Sequence, residues 1–182
     1  MVFKPPGLNN SYYTNDHIYL KGLPLTDSYW DVLRVGRPAH VSKLQLVNVT
    51  SLMGDDEIVC TPPDSVKFIK GLVEGKILSE ASMKETLTFV KDEKGNSKYS
   101  MEIFYFDLEG ITAYRRCGGF VDAGNALMYI PSQKTYFFLA AHLNVLMEGR
   151  LSNKCDEMKT ELLEAIFPQW IGLIYKGRSD SL

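Results

Sequence analysis

The stretch Tyr114-Arg115-Arg116-Cys117-Gly118-Gly119 gathers two guanidinium groups, a thiol and a glycine pair. Three chemistries are open to it. A cysteine with its pKa lowered by a histidine or by cations can act as a nucleophile. An arginine can clasp a carboxylate through two parallel hydrogen bonds. Paired glycines leave a strand bare, so that a ligand backbone can approach it closely. The thiol reading requires activating groups on the cysteine's own side. Strand alternation sends Arg115 and Arg116 to opposite faces, and sequence places none of His17, His40 and His142 near Cys117. Cys117 therefore reads as a small buried strand residue. An anion-binding edge and a plain charged turn remain as the alternatives for the rest.

The other reactive side chains are less suggestive. His142 lies in the most apolar run, TYFFLAAHLNVL, and is expected to be a hydrogen-bonded core residue. His17 and His40 stand in turn-rich sequence with no partner at metal-ligand spacing. Asp55, Asp56 and Glu57 are consecutive but lack the spaced glycine of a calcium loop, so they read as an exposed acidic loop. The three cysteines, Cys60, Cys117 and Cys155, form no CxxC pair and cannot all be paired within one chain. Neither a zinc site nor a disulfide scaffold is expected.

With 182 residues, 45% of them apolar and 23% charged, the chain is expected to form one globular domain. A net charge of −2 gives no electrostatic footprint for nucleic acid. No apolar run is long enough for a membrane span. The opening MVFKPPGLNN lacks the plan of a signal peptide, and the unpaired cysteines fit a cytoplasmic protein.

The elements that must position these residues are clearest after residue 60. Residues 1–60 read as irregular, with SKLQLVNVTSL a strand by its β-branched content. Residues 61–90 read as helical. Thr61 is an N-cap, Pro62 lies in the first turn, Val66, Ile69, Leu72 and Val73 form one stripe, and Gly75 closes the helix. A second short helix starts at Ser79. KDEKGNSK is a polar turn. Within 99–144, the runs 99–108, 111–117, 125–130 and 135–144 are joined by turn-forming sequence and predict an antiparallel meander. The run 135–144 is apolar on consecutive positions, so both faces should be covered, and it lacks the lysine, proline or bulge that protects an edge. A final helix over 153–170 should turn Met158, Leu162, Ile166 and Phe167 inward. The fold class is thus α/β in the α+β sense, an antiparallel sheet flanked by helices.

The order of these blocks resembles the serine β-lactamase-like family, which includes class C β-lactamases, penicillin-binding proteins, D-alanyl-D-alanine carboxypeptidases and related esterases. VFKPPGLNNSYYT resembles the segment that follows the family's Tyr-x-Asn helix. IVCTPPDSVKFIKGLVEGKILSEASMKETLTF resembles its Ser-Thr, helix, Gly-Lys-Leu-Leu-Ser block. YSMEIFYFDLEGITAYRRCGGF and NALMYIPSQKTYFFLAAHLN resemble its closing strands. The resemblance spans about Val2 to Phe167 and implies the C-terminal half of a β-lactamase/transpeptidase-like domain. It further implies a hydrolase acting on an amide or ester acyl group without a cofactor, in a family that often works outside the cytoplasm.

Residue by residue, the resemblance puts Arg116 where the family has a histidine or lysine that holds the substrate carboxylate. It puts Gly118 at the family's glycine, and Cys117 to Gly119 around the strand N–H that completes an oxyanion hole. The family's Ser-x-x-Lys nucleophile is absent: Ser65, Ser82, Ser132 and Ser152 are each followed by lysine two residues on, not three. Tyr13-Thr14-Asn15 matches Tyr-x-Asn but lies on the wrong side of its neighbouring block, so no catalytic residue is assigned. The chain alone is expected to be inactive. Its implied partners are a missing N-terminal half or a second copy joined through the edge strand 135–144. The alternative is a non-catalytic module for binding or oligomerisation.

Overall fold

The protein is described by a computed structural model over residues 4–13, 22–44, 58–101, 103–108, 111–119, 124–143 and 150–167. Near the start, β1 (Ser11–Tyr13) pairs antiparallel with β4 (Ile58–Cys60), and β2 (Tyr29–Trp30) pairs with β3 (Ala39–His40). Residues 42–44 form a helical turn rather than the start of a strand, with the Leu44 N–H donating to the Val41 carbonyl. The rest of SKLQLVNVTSL lies outside the described residues.

Helix α1 (Pro62–Val73) begins where two prolines occupy positions whose N–H groups would have no helical partner. Thr61 has the extended backbone of an N-cap, although its hydroxyl makes no capping bond. Ile69 is buried, Val66, Leu72 and Val73 are half-buried, and Gly75 ends the segment at φ +73°. Gly71 sits in mid-helix because Pro6 packs on it: a Cβ there would stand 2.6 Å from the Pro6 Cβ. Helix α2 (Glu80–Thr86) is capped by the Ser79 hydroxyl, which accepts from the Ser82 N–H at 3.2 Å.

The start of α1 is anchored by Asp64, whose side chain is fully buried. Its carboxylate accepts from the Asn10 N–H at 2.7 Å, the Ser11 hydroxyl at 3.1 Å and the Lys67 ammonium at 3.1 Å. Burial pushes this carboxyl up. The Asn10 N–H, Lys67 and the Ser11 hydroxyl outweigh burial and hold it below the ordinary carboxylate value.

The main sheet is antiparallel throughout, in the order β10-β9-β8-β7-β6-β5. Its strands are β5 (Val90–Lys91), β6 (Ser97–Ser100), β7 (Ile103–Leu108), β8 (Ile111–Gly119), β9 (Gly124–Ile130) and β10 (Thr135–Ala141). The single strand expected over 99–108 is two strands, because the chain reverses at Met101 and pairs Ser100 with Ile103. The polar KDEKGNSK is the turn of a further hairpin, β5–β6. There the Asp92 carboxylate accepts from the Lys94 and Asn96 N–H groups and Gly95 takes φ +81°.

Alternation divides the sheet into two faces. Ala113, Met128 and Ile130 form a buried cluster with Phe167, flanked by Ile111 and Phe137. The opposite face is covered by α1, which packs on β9 and β10. Helix α3 (Arg150–Ile166) brings Phe167 to the first face. Of the positions expected to face inward, Phe167 is buried as expected, and the other three are exposed. Met158, Leu162 and Ile166 are 46%, 42% and 63% exposed. Helical spacing marks a stripe as apolar but does not specify what covers it.

Strand β10 lies at the end of the strand order, and its residues are half-buried apart from exposed Ala140, so its faces are less covered than its composition implies. Beyond its end, the Tyr29 N–H donates to the His142 carbonyl at 3.1 Å and Tyr29 bridges Leu143. The His142 ring departs from expectation at one atom. Its Nδ1 is buried without a hydrogen-bond partner among the described residues.

Two outcomes follow for stability. Asp64→Ala should lower the unfolding free energy at neutral pH by about 1–3 kcal/mol, since it leaves the part-buried Asn10 N–H without its acceptor while the exposed Lys67 ammonium returns to water. The depressed folded pKa makes this contribution full above the unfolded value of about 3.9 and lost as pH falls through the folded one. Denaturant titrations of both proteins should therefore converge in acid. Gly71→Ala should lower the melting temperature. The clash with a rigid proline costs about 1–3 kcal/mol, which outweighs the roughly 1 kcal/mol of helix propensity gained.

Candidate functional site

Strand β8 carries the residues singled out by sequence, and its pairing decides where each one points. The register against β9 sets Tyr114 opposite Tyr129, Arg115 opposite Met128, Arg116 opposite Leu127, Cys117 opposite Ala126, Gly118 opposite Asn125 and Gly119 opposite Gly124. Met128 belongs to the buried cluster on the first face. Arg116 and Gly118 therefore share the helix-covered face with Tyr114, while Arg115 pairs on the other. Arg116 is exposed.

The two edges of β8 are engaged unequally. Strand β7 pairs with it only from Ile111 to Arg115, because β7 begins at Ile103 and turns there into β6. Strand β9 pairs with it through Gly119. Over 117–119 the β7-side edge of β8 therefore has no partner strand among the described residues. Gly118 has a local reason to lack a side chain. A Cβ there would stand 3.0 Å from the Asn125 Nδ2, so glycine leaves room for that amide on the face of Arg116.

A row of aromatic rings crosses the same face. Tyr105, Tyr114, Tyr129 and Tyr136 come from four adjacent strands, with Tyr129 and Tyr136 stacked at 4.6 Å and Tyr114 tilted against Tyr129 at 6.2 Å. Phe89 stacks on Tyr114 at 5.7 Å and meets the edge of Tyr105 at 5.3 Å. Burial, then the neighbouring Tyr105 and Tyr129, raises the Tyr114 phenol above its ordinary value. Burial, then Tyr129 and Glu74, raises Tyr136 likewise.

Between this face and the helices is a cavity of about 330 Å³. Phe68, Ile69 and Leu72 line it from α1, Met83 and Leu87 from α2 and its cap, and Tyr114, Arg116, Leu127 and Tyr129 from the sheet. Sequence reasoning missed this chamber. The tyrosines in TAYRR, ALMYI and KTYFF reveal a shared face only once strand register is known.

Elsewhere the fold brings His40 to Asp27 and Ser42. The His40 Nε2 lies 2.9 Å from the Asp27 carboxylate and 2.7 Å from the Ser42 hydroxyl, and that hydroxyl also donates to Asp27 at 3.2 Å. This is not a catalytic relay. Such a relay needs one ring nitrogen on the acid and the other on the hydroxyl, whereas here one nitrogen faces both. The three side chains tie the β2–β3 hairpin, with Ser42 accepting from the Ser28 N–H at 2.9 Å. The hydrogen bond from His40, then that from Ser42, lowers the Asp27 pKa. Among the described residues, no group of three His, Cys, Asp or Glu could hold a metal ion, and no helix is long and apolar enough to cross a membrane.

No family profile matches the chain, and no curated protein matches its sequence. Solved structures do match its fold. D-amino acid amidase from Ochrobactrum anthropi SV3 superposes with a TM-score of 0.66 at 16% identity, over 92% of this chain and 49% of that one. A penicillin-binding protein from Bacillus halodurans gives 0.63 at 19%, over 91% and 47%. An octameric penicillin-binding protein homologue from Pyrococcus abyssi gives 0.63 at 18%, over 78% and 32%. The fold is therefore that of the serine β-lactamases and transpeptidases, and this chain spans at most about half the length of these three structures.

The tyrosine row sets an alkaline limit. Folded-state pKa values raised above the unfolded value of about 10 make stability full below that pH and decreasing as pH rises through it. Absorbance titration near 295 nm should show two phenols ionising late. Tyr114→Phe should remove one of them and flatten the loss of stability above pH 10.

Proposed function

We propose that the chain is the C-terminal, sheet-bearing portion of a serine hydrolase of the penicillin-recognising type, acting on an amide or ester acyl group. Arg116 holds a carboxylate of the substrate, and the main chain from Cys117 to Gly119 lies against the reacting carbonyl. The observation that carries this reading is the incomplete pairing of β8. From Cys117 to Gly119 it presents an edge without a partner strand among the described residues, next to the exposed Arg116, in a β-lactamase/transpeptidase fold. An extended acyl substrate laid along that edge would meet main-chain donors and a cation together. The serine nucleophile belongs to sequence this chain does not contain.

Two measurements test the proposal. The chain alone should neither hydrolyse nitrocefin nor form a covalent adduct with a labelled penicillin, and either activity would overturn the assignment of the nucleophile elsewhere. The coding sequence immediately upstream of the Met1 codon should carry in-frame Ser-x-x-Lys and Tyr-x-Asn. Their absence favours the second reading, a non-catalytic binding or oligomerisation module.

That second reading has its own support in β10. Its outer side, Thr135–Ala141, has no partner strand among the described residues, which suits pairing with a second copy. The Pyrococcus homologue of this fold is itself octameric. Sedimentation should show concentration-dependent association, and a monodisperse monomer at millimolar concentration would sink the idea.

A further inference from the structure

We infer that the loop joining β2 to β3 is a lipid-docking element, which sets its apolar tip into the headgroup region of an anionic bilayer. The loop reads DVLRVGRP over 31–38. Val32, Leu33 and Val35 are 49%, 78% and 61% exposed. Single exposed hydrophobics are ordinary on a protein surface, whereas three within four positions of one tight loop make a patch. The patch is held outward. The buried Asp31 carboxylate accepts from the Val35 N–H at 3.1 Å and the Gly36 N–H at 2.7 Å. The Asp31 carbonyl accepts from the Arg34 N–H at 3.0 Å, and Gly36 takes φ +77°. At the base of the hairpin, the hydrogen bond from the Tyr29 N–H to the His142 carbonyl ties it to the end of β10. Folding the tip back to bury its side chains would break the bonds to Asp31.

The order of chemistry along the hairpin favours a bilayer over a protein pocket. Its tip is aliphatic, Tyr29 and Trp30 stand on the strand behind it, and the exposed Arg37 lies beside it. Apolar tip, aromatic rings at headgroup level and cations against anionic lipid are the layers of an interfacial element. The charge of the loop agrees. Arg34 and Arg37 are cationic, and the single carboxylate within 31–38, that of Asp31, is buried and occupied by two N–H groups. Protein hot spots are built instead from Trp, Tyr and Arg, with Leu and Val under-represented. The apolar chamber of a second copy is an unsuitable receptor, because Arg115 and Arg116 border it without an acidic residue and would repel a cationic loop. Three short aliphatic side chains give only weak, reversible attachment, so binding requires the anionic headgroups as well.

None of these residues takes part in the hydrolase reading, so the two stand or fall separately. The test sediments the full chain with vesicles of phosphatidylcholine alone and with vesicles of phosphatidylcholine and phosphatidylserine in about equal parts. The mixed vesicles should bind it at least about tenfold more tightly than the neutral ones. Leu33→Asp should weaken that binding at least about tenfold, and Arg37→Gln about fivefold. Both side chains are exposed, so the variants should unfold at the same denaturant concentration as the unaltered chain. Hydrogen exchange supplies a readout that needs no variant: amides within 32–36 should slow when mixed vesicles are added. No binding to either vesicle would overturn the inference in favour of a protein pocket. Equal binding to both vesicles, full binding by Leu33→Asp, or protection confined to other segments would overturn it as well.

Discussion

The register between β8 and β9 is the constraint on which the candidate site depends. Residues alternate across a strand, so a slip of one position would exchange every side chain between the two faces. Arg116 would move to the side of Met128, and Ala113 would leave the cluster it forms with Ile130 and Phe167. Burial on the first face therefore fixes the chemistry on the second. Ala113 and Ile130 are fully buried, and so are intolerant of a charge. With them in place, Tyr114, Arg116 and Gly118 have only one face left to occupy. The cross-strand pair of Gly118 and Asn125 fits the same arrangement, since a Cβ at 118 would stand 3.0 Å from the Asn125 amide.

The layer above that face is held by different means. α1 meets the sheet through an apolar stripe, but its start is fixed by a buried carboxylate. Asp64 gathers donors from Asn10, Ser11 and Lys67 and so ties α1 to β1. A buried charge is tolerated only when its hydrogen bonds are satisfied, and here three donors satisfy it. Pro6 then rests against Gly71 one side of the helix further on. The chamber lies between a sheet face set by apolar burial and a helix set by an ion pair and a close contact. Its shape is the joint result of both.

Two apolar surfaces extend beyond what the described residues cover. Met158, Leu162 and Ile166 form an exposed row on α3, and β10 stands at the end of the sheet with few charges to protect it. A monomeric protein rarely leaves such features without a partner. The three solved structures described above are about twice as long as this chain or longer.

The local elements were legible in the residues themselves. Two prolines after Thr61, the spacing of Val66 to Val73, the Ser79 cap and the alternating runs after residue 97 are near-neighbour effects. Side-chain sterics and short-range hydrogen bonds settle them before any tertiary contact forms. The order of the blocks was enough to indicate a β-lactamase-like sheet, and the absence of Ser-x-x-Lys was visible directly. The break at Met101 was not, because a two-strand hairpin and one long strand share the same apolar composition. Nor was the exposure of the α3 stripe, since periodicity records an apolar face without its partner. Only the tertiary structure decided that four tyrosines from separate strands stand in one row, that His40 meets Asp27 and Ser42 through a single nitrogen, and that Arg116 stands at the mouth of a chamber. Each of these depends on strand register and layer packing between residues far apart in the chain, which no local spacing encodes.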